Sequence, residues 1–259
     1  MRIQRNSGNT STQTLGLRYT VETADSLRFA GKKVTLSFWA RKGANYSVSG
    51  NAFRVFVATG TGTDQVVHSF TNFTAIVNQS IVLTDNWVRY SFTGTASSNI
   101  TQIGLEMFAD VTGTAGANDY MEITGLQLEE GGVATEFSRT TPTIQTELAA
   151  CQRYYWSIKG TVNNYVVPAI YTISTTQWEG VVQYPVEMRI APTLVSTTGT
   201  NYYQALYVPT TPFNSISIYA PTVTNALLYR DGLSGLTANR PGSVVYINSA
   251  ASVAFSSEL

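Results

Sequence analysis

The chain has 259 residues, enough for one large domain or two of ordinary size. Sixteen basic residues balance sixteen acidic ones, and charged residues are only 12% of the sequence, about half the usual share. This leaves no basic excess for neutralising nucleic-acid phosphates, the 12% aromatic content excludes disorder over most of the length, and no apolar run approaches a membrane-spanning helix.

In chain order, Val34-Thr35-Leu36-Ser37-Phe38-Trp39-Ala40 alternates with period two and places Val34, Leu36, Phe38 and Ala40 on one face of a strand. Phe53–Val57 is a β-rich run, and Val66–Phe70, which carries His68, reads as another strand. Trp87–Thr93, opened by the turn residues Asp85-Asn86, precedes Ile103–Phe108 and Tyr120–Leu128. Gly- and Thr-rich turns at 59–64 and 112–116 separate them, and short strands at this spacing predict an antiparallel jelly-roll sandwich. The pattern then changes. Ile144, Leu148, Cys151 and Tyr155 form an amphipathic stripe, with Thr141 as the expected cap and Pro142 at the first helical position, so a short helix is predicted over 142–153. Strand signals return at Tyr165–Val167, Ala169–Ile173, Gly180–Tyr184, Ser215–Tyr219 and Ser243–Ile247. Between them, Tyr184–Thr193 reads as an edge strand and turn bounded by prolines. The expected fold is all-β: a jelly roll over 1–138, a linker with a short helix over 139–156, and a second β-sandwich domain over 157–259.

Few residues suggest catalysis. One Cys excludes an internal disulfide, and one His removes most zinc and His-based designs. His68 has no partner nearby in sequence, and Cys151, on the helix stripe, reads as a small buried hydrophobe. Asp110, Asp119, Glu122, Glu129 and Glu130 are the carboxylates available to a glycosidase pair, with solvated loop acids as the plainer alternative. No cofactor is expected; the loops offer oxygen ligands for a structural Ca²⁺ but show no ligand-loop spacing. Low charge with abundant Ser, Thr and Asn suits covered flanks, a surface that meets sugars, or simply an uncharged exterior. Tyrosines and tryptophans crowd the second half; such rings stack on sugar faces and also fill cores and interfaces.

Two phrases resemble a junction in bacteriophage tail-fibre and related tail proteins: Gln127-Leu128-Glu129-Glu130-Gly131-Gly132-Val133-Ala134-Thr135-Glu136-Phe137, and Glu147-Leu148-Ala149-Ala150-Cys151-Gln152-Arg153-Tyr154-Tyr155. Val34–Gly43 resembles the body of the carbohydrate-binding-module-like jelly roll in those proteins. Tyr184–Thr193 and Phe255–Leu259 are similar to parts of their C-terminal domain. The resemblance implies a jelly roll followed by a C-terminal fibre domain at the distal end of a virion appendage, among other tail proteins, with no catalytic residue. Such proteins begin upstream of the position matching Arg2–Arg5, so an attachment region and the jelly roll's first strand are expected to be missing here.

The expected function is non-enzymatic attachment of a virion to a host surface glycan. The alternatives are a structural virion component, such as a decoration or fibre-tip trimerisation protein, and a polysaccharide-degrading enzyme. A homotrimer is expected, with the helix near the threefold axis, and neither nucleic acid nor membrane insertion enters. The glycan is placed on loops of the second domain around Trp178, Tyr202, Tyr203, Tyr229 and Asp231, with the turn after Tyr229-Arg230-Asp231 supplying a charged pair.

Overall fold

A computed structural model describes residues 1–139, 141, 143–158, 160–207 and 209–258, and the chain divides into two compact units, 1–139 and 140–258. In the first unit, eight strands run in chain order: β1 (Arg2–Gln4), β2 (Thr14–Thr20), β3 (Lys33–Lys42), β4 (Ala52–Thr61), β5 (Thr71–Val82), β6 (Val88–Thr95), β7 (Gln102–Asp110) and β8 (Tyr120–Glu130). A one-turn helix, α1 (Thr23–Ser26), follows β2. Two antiparallel four-stranded sheets, β1-β8-β3-β6 and β2-β7-β4-β5, pack face to face as a jelly-roll sandwich. Arg2–Gln4 pairs with Tyr120–Glu122 at the edge of the first sheet.

The alternation read in β3 holds. Val34, Leu36, Phe38 and Ala40 are buried in a core with Phe29, Phe53, Ile103, Met107 and Met121. Thr35 and Ser37, on the opposite face, are buried as well. They are covered because residues 131–138 return across that face. Thr35 Oγ1 donates to the Gly131 carbonyl (2.8 Å), and Arg89 reaches the Thr135 carbonyl. The Glu129 carboxylate accepts from Thr135 N and Oγ1 at 2.9 and 2.7 Å, and Ser138 N donates to Gln127 Oε1 at 2.9 Å. Burial acts to raise the Glu129 carboxyl. The Thr135 and Gln127 hydrogen bonds and the Arg89 charge outweigh it and hold the group below the usual carboxylate range. Thus Gln127–Phe137 joins the end of β8 to the segment that follows it, which the polar side chains of the strand fasten.

In the second unit, α2 (Ile144–Gln152) precedes ten strands: β9 (Tyr155–Ile158), β10 (Tyr165–Thr172), β11 (Trp178–Gln183), β12 (Thr193–Ser196), β13 (Tyr203–Leu206), β14 (Thr211–Phe213), β15 (Ser217–Tyr219), β16 (Asn225–Arg230), β17 (Pro241–Tyr246) and β18 (Val253–Ser256). They form a seven-stranded antiparallel sheet, β14-β13-β17-β10-β11-β16-β15, and a three-stranded one, β12-β18-β9. An aromatic core includes Trp178, Tyr203, Tyr246, Phe213 and Phe255.

Several expectations change here. The segment expected as a separate linker supplies α2 and β9 to the second unit. The cap is Thr143, not Thr141: Thr143 Oγ1 accepts from Thr146 N (3.2 Å) and Thr143 N donates to Thr146 Oγ1 (3.3 Å). Pro142 lies outside the described residues. No residue of α2 is buried, so Cys151 is exposed rather than core: among the described residues of its unit, none covers the stripe. The runs 165–167 and 169–173 merge into β10, with Pro168 at a register shift against β17. Proline has no N–H for the ladder, and a bulge accommodates it. The Pro185–Pro192 stretch is irregular, and the edge strand β12 begins at Thr193.

Candidate functional site

The expected glycan site does not assemble. Trp178 lies in β11 and is fully buried against Phe213. Tyr203 lies in β13, also fully buried, and its hydroxyl is shared between the Thr197 and Ser252 carbonyls at 2.7 and 3.0 Å. Neither ring is on a loop and neither is open to a ligand, because strand alternation turns both into the core. Burial raises the Tyr203 phenol and pushes that of Tyr184 up to about 12. Tyr202 is half-buried, packed on the core edge. Tyr229 points away from the core on β16, between Glu179 and Ser217. Four strand spacings separate β13 from β16, about 19 Å. Tyr202 and Tyr229 therefore do not share a site. Asp231 is exposed in a turn, where its Oδ1 accepts from Thr176 Oγ1 (3.2 Å) and Gly232 N (2.6 Å). Arg230 turns instead to Ser215 Oγ, at 2.8 Å.

The five carboxylates considered for catalysis or Ca²⁺ hold the first unit together. Asp119 is buried against Arg5 (3.0 Å) and accepts from Ser47 N and Oγ at 3.0 and 2.7 Å. The Arg5 guanidinium fastens the surrounding loops by donating to the carbonyls of Asn9, Ser11 and Gly113. Glu122 lies between Arg2 and Arg41, Glu130 pairs with Lys32, and Asp110 accepts from Thr14. Burial acts to raise Glu122, but the hydrogen bonds and charges of Arg41 and Arg2 hold it below the usual range. Among the described residues, no group of three or more His, Cys, Asp or Glu side chains is placed to hold a metal ion.

A different surface gathers chemistry: the outer face of the β2-β7-β4-β5 sheet. Phe53, Val55 and Val57 on β4 and Leu105 and Met107 on β7 point into the core. Their neighbours, Arg54, Phe56, Glu106 and Phe108, therefore point outward. Register aligns them in rows across the four strands. One row is Gly16, Phe108, Arg54 and Ser80; the next is Arg18, Glu106, Phe56 and Asn78. The Phe56 and Phe108 rings are near-parallel, with centroids 5.7 Å apart and planes 6° apart. The Arg54 guanidinium lies over both rings, 5.7 and 5.6 Å from their centroids. Gly16 is required beside them. A Cβ there would come within 2.6 Å of Phe108 Cβ and 2.3 Å of the Met107 carbonyl oxygen.

In the next row, Glu106 is buried between Arg18 and His68. Arg18 Nη2 reaches Oε1 at 2.8 Å and His68 Nε2 pairs with Oε2. His68, whose partner Glu106 is distant in sequence, is therefore not in the strand that its neighbours suggest. It sits in a short turn, Val67–Ser69, half-exposed, with its ring stacked on Phe73 at 6.1 Å. Val67 and Phe70 close this end of the face by packing on Ala58. The result is a half-buried two-ring surface, capped by Arg54, bordered by Arg18, Asn78 and Ser80 and closed at one end by the His68 turn. It offers stacking area and hydrogen-bonding groups. Its outward carboxylates on β7, Glu106 and Asp110, are four residues apart, about 13 Å along the strand.

No family profile matches this sequence and no curated protein is similar to it. Among solved structures, a CBM4 module shares 17% identity at a TM-score of 0.33, over 50% of this chain and 70% of that one. The CBM22-1–GH10 modules of Clostridium thermocellum xylanase 10B, complexed with xylohexaose, share 12% identity at 0.29, over 53% of this chain and 26% of that one. The CBM22 tandem of Paenibacillus barcinonensis Xyn10C shares 11% at 0.32, over 98% of this chain and 86% of that one. At these scores neither fold nor ligand transfers to this chain.

Proposed function

We propose that the chain is a non-enzymatic glycan-binding protein whose first unit holds sugar on the outer face of β2-β7-β4-β5. The observation that carries this is the Phe56–Phe108 pair beneath Arg54 on the solvent side of a sheet. Large apolar rings at outward strand positions are costly to hydrate and mark binding surfaces. Sugars stack their C–H faces on such rings and hydrogen-bond at their edges, where Asn78, Ser80 and Arg18 stand. Hydrolysis is disfavoured by the carboxylates. A glycosidase needs two within about 5–10 Å, whereas Glu106 and Asp110 are separated by about 13 Å and each has its own partner.

The resemblance of residues 127–137 and 147–155 to tail-fibre junctions supports placing the protein on a virion appendage, where its task is attachment to a host surface glycan. Glycan-array binding by the whole chain, weakened about tenfold or more by Phe56→Ala and Phe108→Ala, is the expected result. Binding unchanged in both variants moves the site elsewhere. Loss of all binding to host envelope fractions in the parent favours a structural virion component. Release of reducing ends establishes an enzyme.

A second observation favours trimerisation. The α2 stripe of Ile144, Leu148 and Cys151 is exposed, and a nine-residue helix is too short to be stable without packing. A further copy of the chain supplies that packing, and the tail-fibre resemblance favours threefold over twofold symmetry. Light scattering should give three times the chain mass, reduced to one by Leu148→Glu; a monomeric parent ends this reading.

A further inference from the structure

The second unit carries a pocket whose lining includes none of the five residues expected to hold the glycan. It lies on the outer face of the seven-stranded sheet and has a volume of about 490 Å³. Its lining is Tyr165, Pro168, Tyr207, Pro241, Gly242 and Ser243. Val244 and Tyr246 on β17 point into the core, so Ser243 points to this face. On one side Ser243 pairs with Leu206. On the other, the β10 register slips between Val167 and Ile170, so that the Pro168 bulge stands opposite it.

Three features mark a ligand site rather than a packing defect. First, Ser243 lines the pocket, and its buried side-chain oxygen has no hydrogen-bond partner among the described residues. A buried hydroxyl without a partner is disfavoured, and a ligand hydroxyl restores the lost bond. Second, Tyr165 and Tyr207 flank it with 52% and 75% of their surface exposed. They are two open rings around a polar group. Third, Tyr207 is held at φ +70°, a left-handed conformation that a bulky residue rarely adopts. At 75% exposure the chain itself returns no burial for that strain, and strain of this kind concentrates at ligand sites.

We infer that this pocket binds one neutral pyranose residue. No charged side chain lines it, which argues against acidic sugars and phosphates. Tyrosine and proline faces take the C–H face of a sugar ring. Ser243, both donor and acceptor, matches a sugar hydroxyl, which is also both. A proline-rich peptide would lie across the tyrosines and leave the Ser243 hydroxyl unmatched. The inference rests on the glycan reading for its class of ligand but not on the Phe56–Phe108 surface.

The test is to titrate the full chain with methyl glucoside, methyl galactoside, methyl mannoside and N-acetylglucosamine, following backbone amide resonances. At least one sugar should shift residues around Tyr165, Tyr207 and Ser243 saturably. Tyr207→Ala should weaken that binding about tenfold or more and Ser243→Ala severalfold, while Phe56→Ala leaves it unchanged. Thermal melts of each variant check that the unit still folds. Shifts confined to the β2-β7-β4-β5 face would overturn this inference and spare the first site. Shifts around Tyr207 alone would support it and remove the first site. Silence at Tyr207 with every sugar, binding unaffected by both tyrosine substitutions, or saturation by oligoproline in place of sugar would each overturn it.

Discussion

The two units solve the same problem with different materials. Residues 1–139 hold eleven acidic and eleven basic residues, against five of each in the remainder, while eleven of the fifteen tyrosines lie after residue 139. The first unit accordingly ties its loops with charge, most deeply at Arg5–Asp119, and mixes aliphatic side chains with Phe29, Phe38, Tyr46 and Phe53 in its core. The second packs rings on rings: Tyr203 lies 5.7 Å from Phe213 and 5.8 Å from Tyr246, and Trp156 stacks on Phe255 at 5.4 Å. Two of its buried phenols are satisfied by carbonyls, Tyr203 by Thr197 and Ser252 and Tyr246 by Ile158 at 2.8 Å, while that of Tyr184 has no partner among the described residues. Rings are thus deployed differently in the two halves. In the first, Phe56 and Phe108 lie half-buried on an outer sheet face; in the second, Trp178, Tyr184, Tyr203, Phe213, Tyr246 and Phe255 are core while Tyr165, Tyr171, Tyr207 and Tyr219 stay exposed.

The sharpest way to break this comparison is to remove one anchor from each half. Asp119→Ala strands the Arg5 guanidinium in the interior, and the first unit should lose about 3–5 kcal/mol. Trp178→Ala leaves a cavity among Phe213 and its neighbours and should cost the second unit a comparable amount, about 3–5 kcal/mol. Chemical denaturation followed by tryptophan fluorescence and by amide exchange checks both; equal loss in both units from either substitution breaks the comparison.

Acid should act on the first unit. Glu122 and Glu129 titrate below their unfolded range, so each adds stability above the unfolded pKa that disappears as pH falls through the folded one. Its denaturation midpoint should drop through the carboxylate range, and Glu129→Gln should flatten part of that slope. A midpoint insensitive to acid would contradict the assignment. The smallest effect is Thr143→Ala, which removes the α2 cap and should cost about 1 kcal/mol, seen as faster amide exchange over residues 144–149.

What the sequence disclosed follows from what each residue can signal alone. The β3 alternation needed no partner to be read. The β5 strand escaped notice because Thr71–Val82 lies at a sheet edge, its pairing with β4 shifts register, and only Val77 is buried. Trp178 and Tyr203 were misplaced because a ring beside turn residues reads as exposed until the strand carrying it is known. Phe56 and Phe108 did leave a signal: each is a ring at the outward phase of a strand whose inward phase is already apolar. The His68–Glu106 pair left none, since its members are separated by 38 positions and meet only through the fold.

The returning segment 131–138 has a practical bearing on where this chain can be cut. A fragment ending with β8 at Glu130 would strip the cover from Thr35 and Ser37, leave Glu129 and Gln127 facing water, and present a bare polar sheet face to neighbouring molecules. Eight residues more, through Ser138, keep every one of those groups covered. The shortest soluble version of the jelly roll is therefore set by a stretch with no regular secondary structure of its own.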